Sequence, residues 1–268
     1  MGFDQGDADR LDEVMLAQPV SPHGVASLTA WFLDPDRGGR YAAGVGAHAV
    51  SYRPGAWARV EPWPEALGDR GEAGRREVSR AEVVAVAREA ASHGDWRAAL
   101  VAAHVWGYGG TGFGRFRTER VLAQPGVAEA LEKAVASLRA GEVADAYEVL
   151  APVRHYGPAF FTKFLYFAGA AVEAPERPLI LDSVLAATAR AHATAAGEAA
   201  GVANAASTAA FVWRDGGWTS HRYGVFLAWL RRGTDVLTAE GFGWPPEPDL
   251  LELAIFAGGW DGSSAPAP

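Results

Sequence analysis

The sequence predicts a mainly α-helical bundle with an irregular N-terminal segment. From residue 79 onward apolar residues recur at helical spacing, and no regular alternation of strands and helices appears. With 268 residues, 49% of them hydrophobic, the chain can bury a sizeable core. We expect an irregular layer at residues 1–76, a helical domain at 77–260 with a helical hairpin near 150–165, and a disordered tail at 261–268.

Composition excludes several kinds of site. The chain has no cysteine, which excludes disulfides, thiolate zinc sites and iron–sulfur clusters. Its seven histidines show no ligand spacing with each other or with carboxylates, so we expect no metal and no cofactor. The acidic N-terminus lacks a long apolar run, which predicts neither a signal peptide nor a membrane anchor and favours a cytoplasmic protein.

Local signals place the first elements in order. The stretch "AHAVSYRPGAWARVEPW" contains an alternating pattern that predicts a strand. Ser79 and Glu82 have the spacing of a helix capping box. A further helix is expected from Asp95 through "DWRAALVAAHVW", ending at the glycine cluster 107–114.

The second half of the chain contains further helical segments. "VAEALEKAVASLRAG" ends at the stop signal Gly141, and "VADAYEVL" precedes Pro152. A long apolar helix covers "GPAFFTKFLYFAG", and another runs from Asp182 through "LAATARAHATAA". "YGVFLAWLRRG" and "PDLLELAIFAGG" predict two more helices, and "VWRDGGWTS" predicts a small hairpin.

One motif raises the alternative of a nucleotide-binding enzyme. "GYGGTG", residues 107–112, fits the dinucleotide fingerprint G-x-G-x-x-G. That fingerprint needs a preceding strand inside a parallel sheet, whereas Ala-rich "WRAALVAAHVW" prefers a helix, so we expect no nucleotide cofactor. As an interhelical loop, the region carries aromatic and arginine side chains that suit bases and phosphates, namely Trp106, Tyr108, Phe113, Arg115, Phe116 and Arg117.

Lys163 is unusual in a chain that uses arginine for 22 of its 24 basic residues, Lys133 being the other lysine. It lies between Phe161 and Phe164, where its ammonium would be partly desolvated. Desolvation lowers a lysine pKa and makes the free amine available as a nucleophile. The alternative is a lysine whose stem covers apolar surface and whose charge stays in water.

Asp182 follows the apolar run "RPLIL" at the start of the next predicted helix. Its carboxylate would face the end of the lysine helix if the two helices pack antiparallel through the turn at residues 175–178. The alternative is an ordinary N-cap, in which the carboxylate accepts hydrogen bonds from the amides of Val184 or Leu185.

"GPAFFTKFLYFAG" and "RPLILDSVLAATAR" together resemble the helix-hairpin-helix DNA glycosylase superfamily, and its 8-oxoguanine glycosylase branch most closely. In that family a glycine-containing hairpin binds DNA phosphate, a lysine follows the hairpin, and an aspartate follows at the next helix start. The spacing from Lys163 to Asp182 matches the 8-oxoguanine branch without a gap. The resemblance covers about residues 95–190.

Two positions depart from the family hairpin. The first of its two usual glycines is His155 here, which leaves only Gly157. Counted from Gly157, the usual lysine position is Ala159, four residues before Lys163. Residues four apart share one helix face, so either the hairpin is one turn longer or the amine arrives from one turn further along. If neither holds, the enzyme would be monofunctional or inactive.

The resemblance implies a DNA glycosylase with AP-lyase activity that excises an oxidised or otherwise modified base, with 8-oxoguanine as the first candidate. Lys163 would form a Schiff base with the sugar, and Asp182 would stabilise the cationic sugar. The residues expected to contact DNA are Gly157, Pro158, Arg154, His155, Arg115 and Arg117. Those expected to line a base pocket are Trp106, Tyr108, Phe167 and Asp249.

The expected partner is double-stranded DNA with a modified base, bound by a monomer. The net charge of −8 argues against coating nucleic acid, but residues 96–190 carry ten basic and nine acidic side chains, so the acidity lies elsewhere. The alternative is a non-catalytic hairpin protein that recognises damaged or modified DNA. Lys163→Arg separates the two, because a binder needs the charge but not a free amine.

Overall fold

The computed structural model describes residues 5–71 and 74–264, and these residues contain twelve α-helices and one two-stranded sheet. The helices are α1 (Gln5–Ala17), α2 (Pro22–Leu33), α3 (Arg80–His93), α4 (Arg97–Tyr108), α5 (Gly114–Leu122), α6 (Val127–Arg139), α7 (Val143–Leu150), α8 (Pro158–Ala171), α9 (Ser183–Ala199), α10 (Ala205–Val212), α11 (Ser220–Ala239) and α12 (Pro248–Phe256). The strands are β1 (Ala49–Tyr52) and β2 (Arg76–Ser79). The predicted mainly α class is confirmed.

The chain divides into two units, each with its own interior. One unit comprises residues 46–180, and the other combines residues 1–45 with 181–268. Within the described part of the chain, no helix has both the length and the apolar character needed to span a bilayer.

In the unit of residues 46–180, the apolar helix α8 lies at the centre. It packs against α3, α4, α6 and α7, and all its residues from Phe161 to Gly169 are buried. A helix that is apolar on every face is stable only when surrounded in this way. The lysine in its middle is therefore enclosed by the packing of four neighbouring helices.

The small sheet joins this unit at the start of α3. β1 and β2 pair antiparallel, with Ala49 opposite Ser79 and Tyr52 opposite Arg76. Ser79 then caps α3: its Oγ accepts from the Glu82 amide at 3.2 Å, and the Glu82 carboxylate accepts from the Ser79 amide at 2.7 Å. The predicted capping box is confirmed, and the strand predicted within "AHAVSYRPGAWARVEPW" is confirmed at residues 49–52.

In the other unit, α1 packs against α9, α10 and α11, and α12 packs against α2, α9 and α11. Asp12 of α1 and Arg222 of α11 form a buried ion pair. The Arg222 guanidinium also lies over the Trp213 ring, 4.9 Å from its centroid. A buried charge needs such partners to offset its lost hydration.

The predicted irregular layer differs from the structure over residues 5–33, which form α1 and α2. Leu11 and Met15 of α1 are fully buried, and Ser21 caps α2 by accepting from the Gly24 amide at 3.0 Å. These helices depend on a few apolar residues and one cap, while the surrounding Gly, Pro and Trp content favoured irregular structure. Residues 1–4 and 72–73 of the layer lie outside the described residues.

The small hairpin predicted at "VWRDGGWTS" is wrong, because residues 213–219 form a loop without strands. Arg214 closes this loop locally, since its guanidinium donates to the Gly217 carbonyl at 2.7 Å and its carbonyl accepts from Trp218 Nε1 at 2.8 Å. Trp213 and Trp218 are both buried. The apolar residues of this stretch therefore include two tryptophans that pack into the core from a loop, and they do not indicate a strand.

Of the tail predicted as disordered, residues 261–264 are described and 265–268 lie outside the described residues. The Ser263 carbonyl accepts from Ser21 Oγ and from Trp260 Nε1, both at 3.0 Å. Trp260 is 3% exposed. The described part of the tail is therefore anchored to its unit.

Candidate active site and nucleic-acid interface

The segment between α7 and α8 forms the turn of a helical hairpin. His155 has a φ of 65°, the left-handed conformation that favours glycine. Gly157 then precedes α8 with φ −74° and ψ 161°, and Pro158 occupies the first helical position. The position where the family hairpin usually has its first glycine thus keeps a glycine-like backbone, although it holds a histidine. His tolerates this region better than most residues do.

Lys163 lies in the second turn of α8 and is only 7% exposed. Its Nζ donates a hydrogen bond to the Ala159 carbonyl oxygen at 2.8 Å. The same Nζ lies over the Phe160 ring, 5.5 Å from the centroid. The alternative interpretation predicted a lysine whose charge reaches water. In the structure the side chain is buried, and its amine lies at the Ala159 carbonyl instead.

The path of this side chain bears on the four-residue offset between Lys163 and the usual lysine position. Helical side chains point toward the N-terminus and cover the preceding turn. The Lys163 amine consequently lies beside the backbone of Ala159, the position counted from Gly157 as the usual one. Of the two explanations offered by the sequence, the geometry fits an amine that arrives from one turn further along.

A buried histidine on α4 lies near the lysine. His104 is 1% exposed, and burial first and the Lys163 charge second lower its pKa to about 3. Thr118 Oγ1 donates to the Gly114 carbonyl at 2.9 Å, so in its 2.7 Å contact with His104 Nδ1 it must accept. With this assignment of the Thr118 hydroxyl, the neutral imidazole carries its proton on Nδ1, and Nε2 is a buried acceptor without a hydrogen-bond partner among the described residues.

Aromatic rings connect the lysine to the glycine-rich loop. Phe160 stacks on Tyr108 with ring centroids 4.0 Å apart and an interplanar angle of 17°. Burial raises the Tyr108 pKa, and a hydrogen bond from the Arg117 guanidinium opposes that shift. Predicted site residues Lys163, Tyr108 and Arg117 are thereby brought together at one end of α4.

Exposed aromatic and arginine side chains follow directly after this cluster. Phe113 is 75% exposed and Phe116 is 51% exposed. The Arg120 guanidinium lies over the Phe116 ring, 4.5 Å from its centroid, and Arg115 is exposed beside it. Exposed aromatic rings among arginines are a surface suited to bases and phosphates.

Two of the predicted pocket residues lie in the interior of the same unit. Phe167 is fully buried and meets Trp106 edge to face, with centroids 5.4 Å apart. Trp106 also donates from Nε1 to the His48 carbonyl at 3.4 Å, and the Arg80 guanidinium lies over its ring. These contacts leave little of either ring exposed to a base.

Asp182 and Asp249 belong to the other unit. Asp182 caps α9, with Oδ1 accepting from the amides of Val184 at 3.0 Å and Leu185 at 3.2 Å. The predicted N-cap role is confirmed, and it is compatible with a second role for the carboxylate. Asp249 lies in the first turn of α12 and is 3% exposed.

Three residues at the lysine were not predicted from the sequence as site residues, namely Gly107, His104 and Phe160. A Cβ at Gly107 would lie 2.8 Å from Lys163 Cδ. Phe160 and Lys163 are three residues apart, and so are His104 and Gly107, which places each pair on one helix face. For Gly107, the signal in the sequence is a glycine inside an alanine-rich helix, where alanine would be the better helix former.

A mainly helical protein with a helical hairpin, followed by a buried lysine, has the features of a helix-hairpin-helix DNA glycosylase. The chain matches a family model described as "Putative 8-oxoguanine DNA glycosylase OGG-like protein" over residues 43–256. Because this match covers well over half of the chain, the protein belongs to the OGG-like family, which implies DNA as its partner. No curated protein and no solved structure matches the chain.

Proposed function

We propose that this protein is a DNA glycosylase with AP-lyase activity that excises an oxidised base, 8-oxoguanine being the first candidate. The observation that supports this most strongly is the Lys163 amine, which is enclosed at the start of the hairpin helix and directed to the Ala159 backbone. Burying a lysine costs stability that its partners must offset, which supports a use for this amine in a chain that otherwise has arginine at nearly every basic position. Action as a cytoplasmic monomer is part of the proposal.

In the proposed reaction, the neutral Lys163 amine attacks C1′ of the damaged nucleotide. The bond from C1′ to the base breaks, the base leaves with its electron pair and takes up a proton, and the amine loses a proton. The sugar ring then opens: the C1′–O4′ bond breaks, O4′ takes up a proton, and C1′ and the lysine nitrogen form the Schiff base. Loss of a proton from C2′ allows elimination of the 3′ phosphate with its electron pair, which cuts the strand. Hydrolysis of the Schiff base then releases Lys163.

Asp182 is proposed to remain ionised and to stabilise the positive charge that develops on the sugar. The same carboxylate can accept the proton that Lys163 loses. Its N-cap hydrogen bonds use Oδ1 and hold the side chain in one orientation. Orientation by the cap would make the carboxylate more effective in this role.

For DNA binding, we propose that the start of α8 receives a phosphate. Helix N-termini favour anions, and a Cβ at Gly157 would meet no atom within 4 Å, so this backbone is open to a large group. Exposed Arg154 and His155 lie beside it, and Pro158 begins the helix. Arg115 and Arg117 provide further positive charge on the other exposed segment.

The target base must leave the duplex stack to reach the amine. We propose Tyr108, through its stack with Phe160 beside Lys163, as the best supported pocket residue. Trp106, Phe167 and Asp249 remain proposed pocket residues. All three are buried, so a base would reach them only after their neighbours shift.

The test is release of free 8-oxoguanine from a duplex oligonucleotide carrying one such base, measured by mass spectrometry together with strand cleavage. The wild type should release the base and cut the strand. Lys163→Arg should keep DNA affinity and lose strand cleavage, because guanidinium is a poor nucleophile. Lys133→Ala is the control, since Lys133 is an exposed lysine paired with Glu129 at 2.7 Å.

Wild-type protein that binds the modified duplex tightly, yet releases no base from it or from other modified duplexes, would overturn the proposal. That result would favour the alternative, a non-catalytic protein that recognises damaged DNA. Release of the base by Lys163→Arg at the wild-type rate would show that Lys163 is not the nucleophile.

A further inference from the structure

Gly107 lies in the last turn of α4, within the sequence "RAALVAAHVWGY". Glycine is a poor residue for a helix interior, and alanine would favour the helix here. The left-handed conformation does not explain this glycine, because Gly107 lacks the positive φ found at Gly109, which is 52°. The reason for a glycine at this position must therefore be the space around it.

That space is filled by the lysine of α8. A Cβ at Gly107 would lie 2.8 Å from Lys163 Cδ and 3.3 Å from Lys163 Cε. The Phe160 ring would be the next neighbour, at 3.6 Å. The first distance is shorter than carbon atoms tolerate, so the methylene chain of Lys163 lies directly against the backbone of α4.

The Lys163 charge also affects the pKa of a second residue on the same face of α4. His104 lies one turn before Gly107, and the Lys163 charge contributes to the lowering of its pKa. The stem of the lysine lies against α4 at Gly107, while its Nζ reaches the Ala159 carbonyl of its own helix.

We propose that Gly107 is a positioning residue for the Lys163 amine. Without a side chain at this turn of α4, the lysine stem lies flat against the helix and directs Nζ back along α8 toward the hairpin. A lysine on an open surface samples many rotamers, whereas contact along Cδ and Cε limits them. The catalytic consequence rests on the proposed glycosylase function, but the contact itself does not.

Gly107→Ala tests the proposal because the new methyl group must displace Lys163. The side chain would have to move, and the amine at its end would shift with it. A misplacement of about 1 Å lowers rate constants by roughly 10- to 100-fold. DNA affinity should stay unchanged, because the atoms nearest to the new methyl group belong to Lys163 and Phe160 and not to the residues proposed to contact phosphate.

The first measurement is the single-turnover rate constant of base release from the 8-oxoguanine duplex, with protein in excess, alongside the dissociation constant for that duplex. Gly224→Ala is the matched control, because Gly224 lies inside α11 and its added Cβ would meet no atom within 4 Å. Gly107→Ala should lose rate without losing affinity, and Gly224→Ala should lose neither. A wild-type rate for Gly107→Ala would overturn the proposal.

The second measurement does not depend on activity. With two lysines in the chain, protein labelled with ¹³C-lysine gives two Cε signals in an NMR spectrum, and Lys133 serves as the internal reference. Gly107→Ala should shift the Lys163 signal and leave that of Lys133 in place. Unchanged positions for both signals would contradict the contact.

A double-mutant cycle covers the case in which Gly107→Ala folds poorly. Lys163→Ala removes Cδ and Cε, so the new methyl group at residue 107 would find space. Gly107→Ala should therefore lower the thermal unfolding midpoint in the wild-type background and not in the Lys163→Ala background. Equal losses in both backgrounds would overturn the proposal.

The two kinds of failure are distinguishable. If wild-type protein releases no base while the NMR shift and the cycle behave as described, the glycosylase function fails and the Gly107 contact stands. If wild-type protein is active and Gly107→Ala matches it, the function stands and the positioning role fails.

Discussion

At the scale of single residues, the two lysines have opposite environments. Lys133 is exposed on α6 and forms a surface ion pair with Glu129, which contributes little to stability. Lys163 is enclosed by α8 and its neighbours, with its amine held on the Ala159 carbonyl and over Phe160. Enclosure of a lysine is unfavourable for folding unless partners offset the lost hydration, and a chemical use of this amine belongs to the proposed function.

The charge of Asp182 and its role as a helix cap can be tested separately by substitution. Asparagine caps helices about as well as aspartate, so Asp182→Asn should preserve the thermal unfolding midpoint. Loss of the carboxylate should lower the rate of base release by about 100-fold or more. Asp182→Ala should lose the activity and, in addition, about 1 kcal/mol of unfolding free energy.

Asp235→Asn provides the matched control, because it removes the same charge from an exposed position of α11. Its rate of base release should equal that of the wild type. If Asp182→Asn and Asp235→Asn retain the same activity, the Asp182 carboxylate is a cap alone.

At the scale of elements, the α7–α8 hairpin carries the proposed phosphate contact. Gly157 has ordinary extended backbone angles and open space around it, so Gly157→Ala should leave unfolding unchanged. The methyl group would nevertheless obstruct a phosphate approaching the helix N-terminus. The dissociation constant for duplex DNA should rise by about tenfold, as expected for the loss of one charge-assisted hydrogen bond.

Gly216→Ala is the control for this prediction, since its added Cβ also meets no atom within 4 Å. It lies in the loop at residues 213–219, which has no proposed contact with DNA. Fluorescence anisotropy with labelled duplex measures both variants. Equal affinities for the two would argue against a phosphate at Gly157.

Most helices from residue 79 onward could be predicted because their signals are local, whereas α5 and α10 were not predicted. The capping box at Ser79 and Glu82 and the stop at Gly141 depend on neighbouring residues only. The loop at 213–219 could not be distinguished from a hairpin, because its order comes from the burial of Trp213 and Trp218. Such burial is decided by the rest of the unit.

For the candidate site, the sequence predicts residue types, whereas the packing around them could not be predicted. The rarity of lysine pointed to Lys163, and the family spacing pointed to Asp182. The close approach of Gly107 to Lys163 depends on how α4 meets α8, which no local pattern encodes. The burial of Phe167 and Trp106 likewise follows from tertiary packing.

At the scale of the whole molecule, two buried histidines predict how stability depends on pH. Burial is the main cause that lowers the pKa of His104 to about 3 and that of His192 to about 4. In the unfolded chain both would take up a proton near about pH 6.5. Stability should therefore be complete above that pH and fall as the pH decreases toward 4.

The expected loss is about 1.4 kcal/mol per pH unit for each histidine within this window. Urea unfolding at several pH values between 7 and 5 measures it. His104→Asn keeps a donor for Thr118. It should reduce the slope of unfolding free energy against pH by the contribution of one histidine, about 1.4 kcal/mol per pH unit. A free energy of unfolding that stays constant across this range would contradict the prediction.

The acidic net charge of −8 predicts that DNA binding depends on a small number of local contacts. If Arg115, Arg117 and Arg154 each neutralise one phosphate, the logarithm of affinity should fall with the logarithm of salt concentration at a slope of about −3. Arg154→Ala should reduce the slope to about −2. Arg10→Ala, which removes an arginine from the exposed pair with Glu13, should not change it.

The most direct test of Lys163 as the nucleophile is borohydride trapping on a labelled duplex that carries one 8-oxoguanine. Borohydride reduces the Schiff base to a stable bond, and peptide mass spectrometry identifies the modified lysine. The wild type and Lys133→Ala should give an adduct at Lys163, and Lys163→Ala should give none. An equal adduct in Lys163→Ala, or strand cleavage by the wild type without any trapped adduct, would contradict a nucleophilic role for Lys163.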